Sequence, residues 1–147
     1  MTPVVPAART ARTAAAVLGL SALLAGCTPS DGVQDLEALF DEEQQAEDVL
    51  PDEELADLAV DGDTTRRLGA DGDATFYAAR SGDGASICLV LASTDADTIA
   101  GCTMTPNPTG TEVSNGTDKV MFVMPGTDFT SLERSGWTRL GDFLAVR

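Results

Sequence analysis

The chain has 147 residues, with nine basic and 24 acidic side chains, no histidine and a formal net charge of −15 at pH 7. That length suits one domain with a modest core. The charge excludes a nucleic-acid binder, because a polyanion is held by a basic face, and the missing histidine removes Ser/His and Cys/His nucleophilic chemistry.

The first 12 residues contain Arg9 and Arg12 and no acid. They are followed by an apolar run from Ala14 to Ala25. A helix of about a dozen residues rises roughly 18 Å, against the ~30 Å of a bilayer's hydrocarbon core. A positive flank, a short apolar stretch and small residues at its end are the marks of a secretory signal. Arg9 and Arg12 are not adjacent, which favours the general secretory route over a twin-arginine one.

The run closes on Leu24-Ala25-Gly26-Cys27. This motif resembles the bacterial lipobox, and the resemblance covers residues 1–27. It implies cleavage between Gly26 and Cys27, removal of residues 1–26, and acylation of Cys27 with attachment to the extracytoplasmic face of the cell membrane. The alternatives are a signal without lipidation and an uncleaved anchor. Two or three acyl chains suffice for stable attachment where one is marginal. The remaining 121 residues then hold seven basic and 24 acidic side chains, a net −17. Anionic headgroups repel such a domain, so the anchor must hold it at the membrane.

With Cys27 lipidated, Cys88 and Cys102 remain. In an exported domain such a pair is read as a disulfide, closing a loop of about 15 residues for roughly 3 kcal/mol. A redox pair or a thiolate metal site is the alternative, and neither a CxxC spacing nor a histidine supports one.

Residues 27–32 read as a lipidated tether and 33–63 as an acidic helical segment, solvated and linking anchor to domain. Val33, Leu36, Leu39 and Phe40 recur at helical spacing and predict a helix from Val33 to about Asp48, capped by Asp31. Pro51 stops it and begins a second short helix, Asp52–Leu58.

From Thr64 the period changes to two, and residues 64–147 read as an antiparallel sheet domain. Asp71-Gly72 and Asp83-Gly84 are predicted as turns joining strands Thr64–Ala70, Asp73–Arg80 and Ala85–Ser93. A looser turn, Thr94–Asp97, leads to Thr98–Met104. Centring the second turn on Asp83-Gly84 sets Phe76 against Leu91, Ala78 against Leu89 and Ala79 against Cys88. Pairing Leu91 with Ile99 then sets Cys88 opposite Cys102. Alternation places Phe76, Ala78, Ile87, Leu89, Leu91 and Ile99 on one face, and Cys88, Val90, Ala100 and Cys102 on the other.

Thr105–Thr111 reads as a loop and Asn115-Gly116 as a hairpin turn. Lys119–Met124, apolar on both faces, reads as a central strand. Asp128 is expected to cap a short helix through Arg134 that Gly136 ends. Trp137–Arg147 closes the domain as one strand or a tight hairpin, with Trp137 packed beneath it. The expectation is α+β: an acidic N-terminal helix, then a five- to six-stranded, mostly antiparallel meander with one short helix and one disulfide. The order of features (lipobox, acidic helix, Arg-Leu-Gly hairpin, Ile-Cys-Leu-Val-Leu strand, second cysteine, Gly-Trp segment) resembles small uncharacterised actinobacterial lipoproteins, a resemblance that implies no activity.

No GxSxG, P-loop or GxGxxG motif occurs. Asp61-Gly62-Asp63 and Asp71-Gly72-Asp73 offer hard oxygen donors to calcium but lack the spacing of an EF-hand loop. Paired carboxylates for glycoside hydrolysis are available by type, yet 121 residues with few aromatics make a poor sugar cleft. Neither a catalytic residue, a metal ligand nor a cofactor is assigned. The expected function is a non-enzymatic lipoprotein, partnered by the membrane through Cys27 and by another envelope protein, in a protein-interaction or envelope-structural role. The alternative is a surface-presented domain that binds a small ligand or a cation such as calcium.

Overall fold

The computed structural model describes residues 31–104 and 110–147, the side chain of Asp31 excepted. The signal and lipobox, the cap assigned to Asp31 and most of the Thr105–Thr111 loop lie outside the described residues.

The architecture is α+β, with mostly antiparallel strands in two four-stranded sheets. Sheet A is a meander in the order β1 (Val60–Asp71), β2 (Ala74–Ser81), β3 (Ser86–Ser93), β4 (Ala96–Met104). Sheet B comprises β5 (Glu112–Ser114), β6 (Lys119–Phe122), β7 (Thr138–Leu140) and β8 (Leu144–Val146), in the order β5-β6-β8-β7. The single sheet of five or six strands is thus corrected to eight strands in two sheets among the described residues. The physical reason is the second apolar surface: Val113, Val120, Phe122, Leu144 and Val146 join Phe76, Ile87, Leu89 and Leu91 in one buried cluster between the sheets. Extending the meander edgewise would leave the apolar face of each sheet in water, whereas stacking removes both.

Sheet A carries the expected register. Phe76 pairs with Leu91, Ala78 with Leu89 and Ala79 with Cys88, while Leu91 pairs with Ile99 and Cys88 with Cys102. The first turn differs by one residue. Asp71 pairs with Ala74, so Gly72-Asp73 rather than Asp71-Gly72 is the two-residue loop. Gly72 has φ 56°, and this first loop position favours glycine in the mirror-image turns that suit hairpin twist. β1 also begins at Val60, ahead of the expected Thr64, and is irregular between Asp61 and Arg66 and between Arg67 and Gly69.

The N-terminal helix is shorter than its acidic pattern predicts. It spans Asp31–Ala38 as α1, continues as a 3-10 turn at Leu39–Asp41, and gives way to a second 3-10 turn at Ala46–Asp48. The apolar stripe ends at Phe40, so no later residue of the predicted helix has a face to bury, and helical continuation lacks the packing that stabilises short helices. Val33 and Leu36 enter the cluster between the sheets. Leu50 then crosses to the outer face of sheet A, with Leu55 and Leu58, to cover Tyr77, Ala79, Val90 and Ala92. α2 (Asp52–Leu55) follows Pro51, whose carbonyl accepts from the Glu54 and Leu55 amides.

Sheet B has its own cover. α3 (Thr130–Arg134) follows Asp128, whose Oδ1 accepts from the Thr130 amide at 3.0 Å. It closes with Gly136 N–H to the Glu133 carbonyl and Trp137 N–H to that of Leu132, the paired bonds of a Schellman ending. Phe129, Leu132 and Trp137 pack with Val123 and Ala145. The chain end is a hairpin, with Arg139 opposite Ala145. The sheets approach closely at Gly101 in β4, where an added Cβ meets Val113 Cγ2 at 2.8 Å.

Candidate functional site

The assigned cysteines divide. Gly26 and Cys27 lie outside the described residues. Cys88 and Cys102 are joined, with S–S 2.02 Å across the β3–β4 pair. Cys88 is buried, and Cys102 is exposed on the edge strand. This bond cross-links two neighbouring strands and carries no other group.

The two Asp-Gly-Asp segments come to different ends of β1. Asp71 ends β1 and Asp73 is the second residue of the β1–β2 loop, while Asp61 lies at the start of the strand. Asp61 Oδ1 is taken by the Asp63 amide at 3.1 Å. Among the described residues no group of three or more histidine, cysteine or carboxylate side chains is placed to hold a metal ion. Lys119 lies 3.6 Å from Glu112 in a half-exposed ion pair, the ordinary surroundings of a solvated lysine.

Most described arginines are engaged in holding the fold. Arg66, only 8 % exposed, donates from Nε to the Leu39 carbonyl at 3.0 Å, from Nη1 to that of Thr65 and from Nη2 to that of Glu42. A cation thus sits on the orphan carbonyls that end the first helical stretch, which suits both hydrogen bonding and the dipole. Nearby, Gln44 Nε2 reaches Thr65 Oγ1 at 2.8 Å and the Gly62 carbonyl at 2.9 Å. Buried Asp48 accepts from the Gln45 amide through Oδ2 and the Arg67 amide through Oδ1, each at 2.8 Å. These bonds take up backbone groups that the irregular part of β1 cannot pair within the sheet. Arg80 pairs with Glu37 and lies over Phe40, 4.6 Å from the ring centre. Arg139 and Arg147 lie over Phe129 and Trp137.

The carboxylates are left largely unneutralised, since the described residues contain two ion pairs. Eight of them border depressions around the turns at one end of sheet A. A depression of about 300 Å³ is bordered by Asp71, Asp73, Asp95 and Asp118. A second, of about 590 Å³, is bordered by Glu53, Glu54, Asp57 and Asp97. Between them is a smaller pocket of about 150 Å³, walled by Leu50, Pro51, Tyr77 and Ala92 and edged by Glu54 and Asp73. No lysine or arginine lines any of the three.

Tyr77 lines the smallest of the three, together with Thr75, Ser93 and Thr94. Its residue is 8 % exposed, and no described residue hydrogen-bonds its hydroxyl. No buried side-chain polar atom is left unpaired among the described residues, so the hydroxyl is open to solvent. Burial raises its pKa above the ordinary phenol value; Arg67 opposes that rise, and Glu54 and Asp48 add to it. Glu54 is itself positioned, its Oε2 accepting from Thr98 Oγ1 at 2.8 Å. Alternation along β2 puts Tyr77 on the cystine face, which is the one sequence signal for it. That the Leu50–Leu58 segment folds over this face to complete a pocket has no local signature.

No family model matches the chain, and neither the curated proteins nor the solved structures contain a match.

Proposed function

We propose that the protein is a lipid-anchored extracytoplasmic lipoprotein of the cell membrane, acting without catalysis as a protein-interaction domain. The observation that carries this reading is Leu24-Ala25-Gly26-Cys27 behind a short apolar run and an arginine-bearing start. Pairing of Cys88 with Cys102 supports it, because it fits an oxidising compartment and leaves Cys27 as the third cysteine. No helix among the described residues is long and apolar enough to cross a membrane.

The placement of α1 favours partner binding over a passive spacer. Cys27 precedes Asp31 by four residues, a reach of at most about 14 Å, so acylation holds the folded part against the bilayer. Glu37 of α1 is tied to Arg80, and Arg80 lies seven residues along β2 from Asp73, roughly 23 Å of strand. The acidic depressions therefore lie at the other end of β2 from the C-terminal end of α1, available to a basic surface. Replacing Cys27 by serine tests the anchor: the wild-type chain is expected to incorporate labelled fatty acid and the Cys27→Ser chain none. Equal labelling of the two chains, or none in the wild type, contradicts it.

A further inference from the structure

We propose that the outer edge of β4 pairs, antiparallel, with the same strand of a second copy of the chain, through an interface separate from the acidic depressions. The direction of the backbone groups follows from the register. The Arg80 amide donates to Thr64 Oγ1 and so points from β2 toward β1. Direction alternates along a strand, so Ala79 points toward β3 and exchanges bonds with its partner Cys88. Cys88 thus points back toward β2, and Cys102 opposite it points away from the sheet. The 3.9 Å between their Cα atoms fits the closer, unbonded kind of antiparallel pair. Ala100 and Met104 point outward with Cys102, and no hydrogen bond among the described residues takes up these backbone groups.

The two edges of sheet A differ in how they are guarded. At β1 the Arg67 amide is held by Asp48 Oδ1, and the Gly62 and Thr65 carbonyls by Gln44 Nε2. That strand is also irregular and carries Asp61, Asp63, Arg66, Arg67 and Asp71. Cover, irregularity and charge are what keep a sheet edge from adding a strand. Between Ile99 and Met104, β4 has no charge, no proline and no irregularity. Met104 is 75 % exposed and, with Val49, makes up the exposed large apolar side chains among the described residues.

A second copy fits because this strip is complementary to itself. A two-fold axis at Cys102 sets the two Cys102 residues opposite each other, and Ala100 of each copy opposite Met104 of the other. Each pair exchanges two backbone hydrogen bonds. The three side chains share a face, so the long Met104 lies against the small Ala100. Asp97, the one charge of β4, falls outside the paired stretch, so no like charges meet across the seam. Two-fold pairing consumes β4 in both copies and leaves only the guarded β1 edges, which closes the assembly at a dimer.

The test is sedimentation equilibrium of the full chain in density-matched detergent, with amide hydrogen exchange at low and high protein concentration. A dimer is expected, with the Ala100, Cys102 and Met104 amides gaining protection as it forms. The Ile99 and Gly101 amides, which face β3, should keep theirs throughout. Met104→Glu enters the interface twice and should weaken the dimer at least about tenfold. Val49→Glu makes the same charge change at the other exposed apolar residue and should stay within about twofold of wild type. Ala100→Pro removes an outward donor and no ladder bond, and should abolish the dimer with Cys88 and Cys102 still joined. Higher ionic strength should tighten the wild-type dimer, because both copies are strongly acidic. A chain that is monomeric at every concentration overturns the proposal and leaves an extended segment of another protein as the edge's occupant. A dimer in which those three amides gain nothing, or which Met104→Glu and Val49→Glu weaken alike, forms through another surface and overturns it too.

Discussion

Sheet A is built from strands of eight to 12 residues joined by short turns, whereas every strand of sheet B has three or four. The long strands carry enough alternation to define their own faces and register, and a covalent link between Cys88 and Cys102 reinforces the pairing. The short strands cannot. Sheet B is held by what surrounds it: bonds outside the ladder such as Lys119 with Arg147 and Val123 with the Phe143 carbonyl, the α3 cover, and apolar contact with sheet A. One layer is specified locally and the other by burial against it.

That contrast can be strained in three places. The largest effect is expected from the disulfide. The Cys88→Ala, Cys102→Ala double variant should lose about 3 kcal/mol in denaturant unfolding. Hydrogen exchange should accelerate first in β3 and β4, while sheet B keeps its protection relative to the rest. Uniform acceleration through both sheets would mean that the bond supports the whole domain equally.

An intermediate effect is expected where the N-terminal segment grips β1. Asp48→Ala strips the Gln45 and Arg67 amides of their partner and should cost about 1–3 kcal/mol. The faster exchange should appear in residues 42–50 and the irregular part of β1. A cost near zero would show that this segment lies on the sheet without bracing it.

The smallest effect concerns pH. Hydrogen bonds from Ser81 and the Ala85 amide hold the Asp83 carboxyl below its ordinary pKa, and bonds from Thr130 do the same for Asp128. Each contributes stability that is full above the ordinary carboxylate pKa and fades as pH falls through the lowered folded value. Asp83→Asn should therefore flatten the acid limb of the thermal-melting profile slightly and leave the melting temperature at neutral pH almost unchanged. A steeper acid limb in the variant contradicts this.

The same contrast explains what the sequence made legible. The Phe76–Leu91 and Cys88–Cys102 pairings followed from turn residues and alternation, as did the short helix after Asp128; the strand read over Lys119–Met124 forms as Lys119–Phe122. The division into two sheets was not legible, because pairing Val120 with Val146 joins segments far apart in the chain and is decided by burial. For the shortened acidic helix, the end of its apolar stripe at Phe40 stood in the sequence, but the bonds of Arg66, Gln44 and Asp48 that tie the following chain to β1 join distant segments. Of the pocket beside Tyr77, the sequence offers Tyr77's face and an excess of acids; Leu50 and Glu54 reach it only through the path of the chain across sheet A.

The central claim is that Cys27 is the attachment point of an exported domain, and the intact mass of membrane-extracted protein tests it most directly. The account predicts a chain lacking residues 1–26, carrying acyl mass, with two cysteines that react with alkylating reagent only after reduction. A chain that retains residues 1–26, or that begins at Cys27 with a free thiol and no acyl mass, would contradict it.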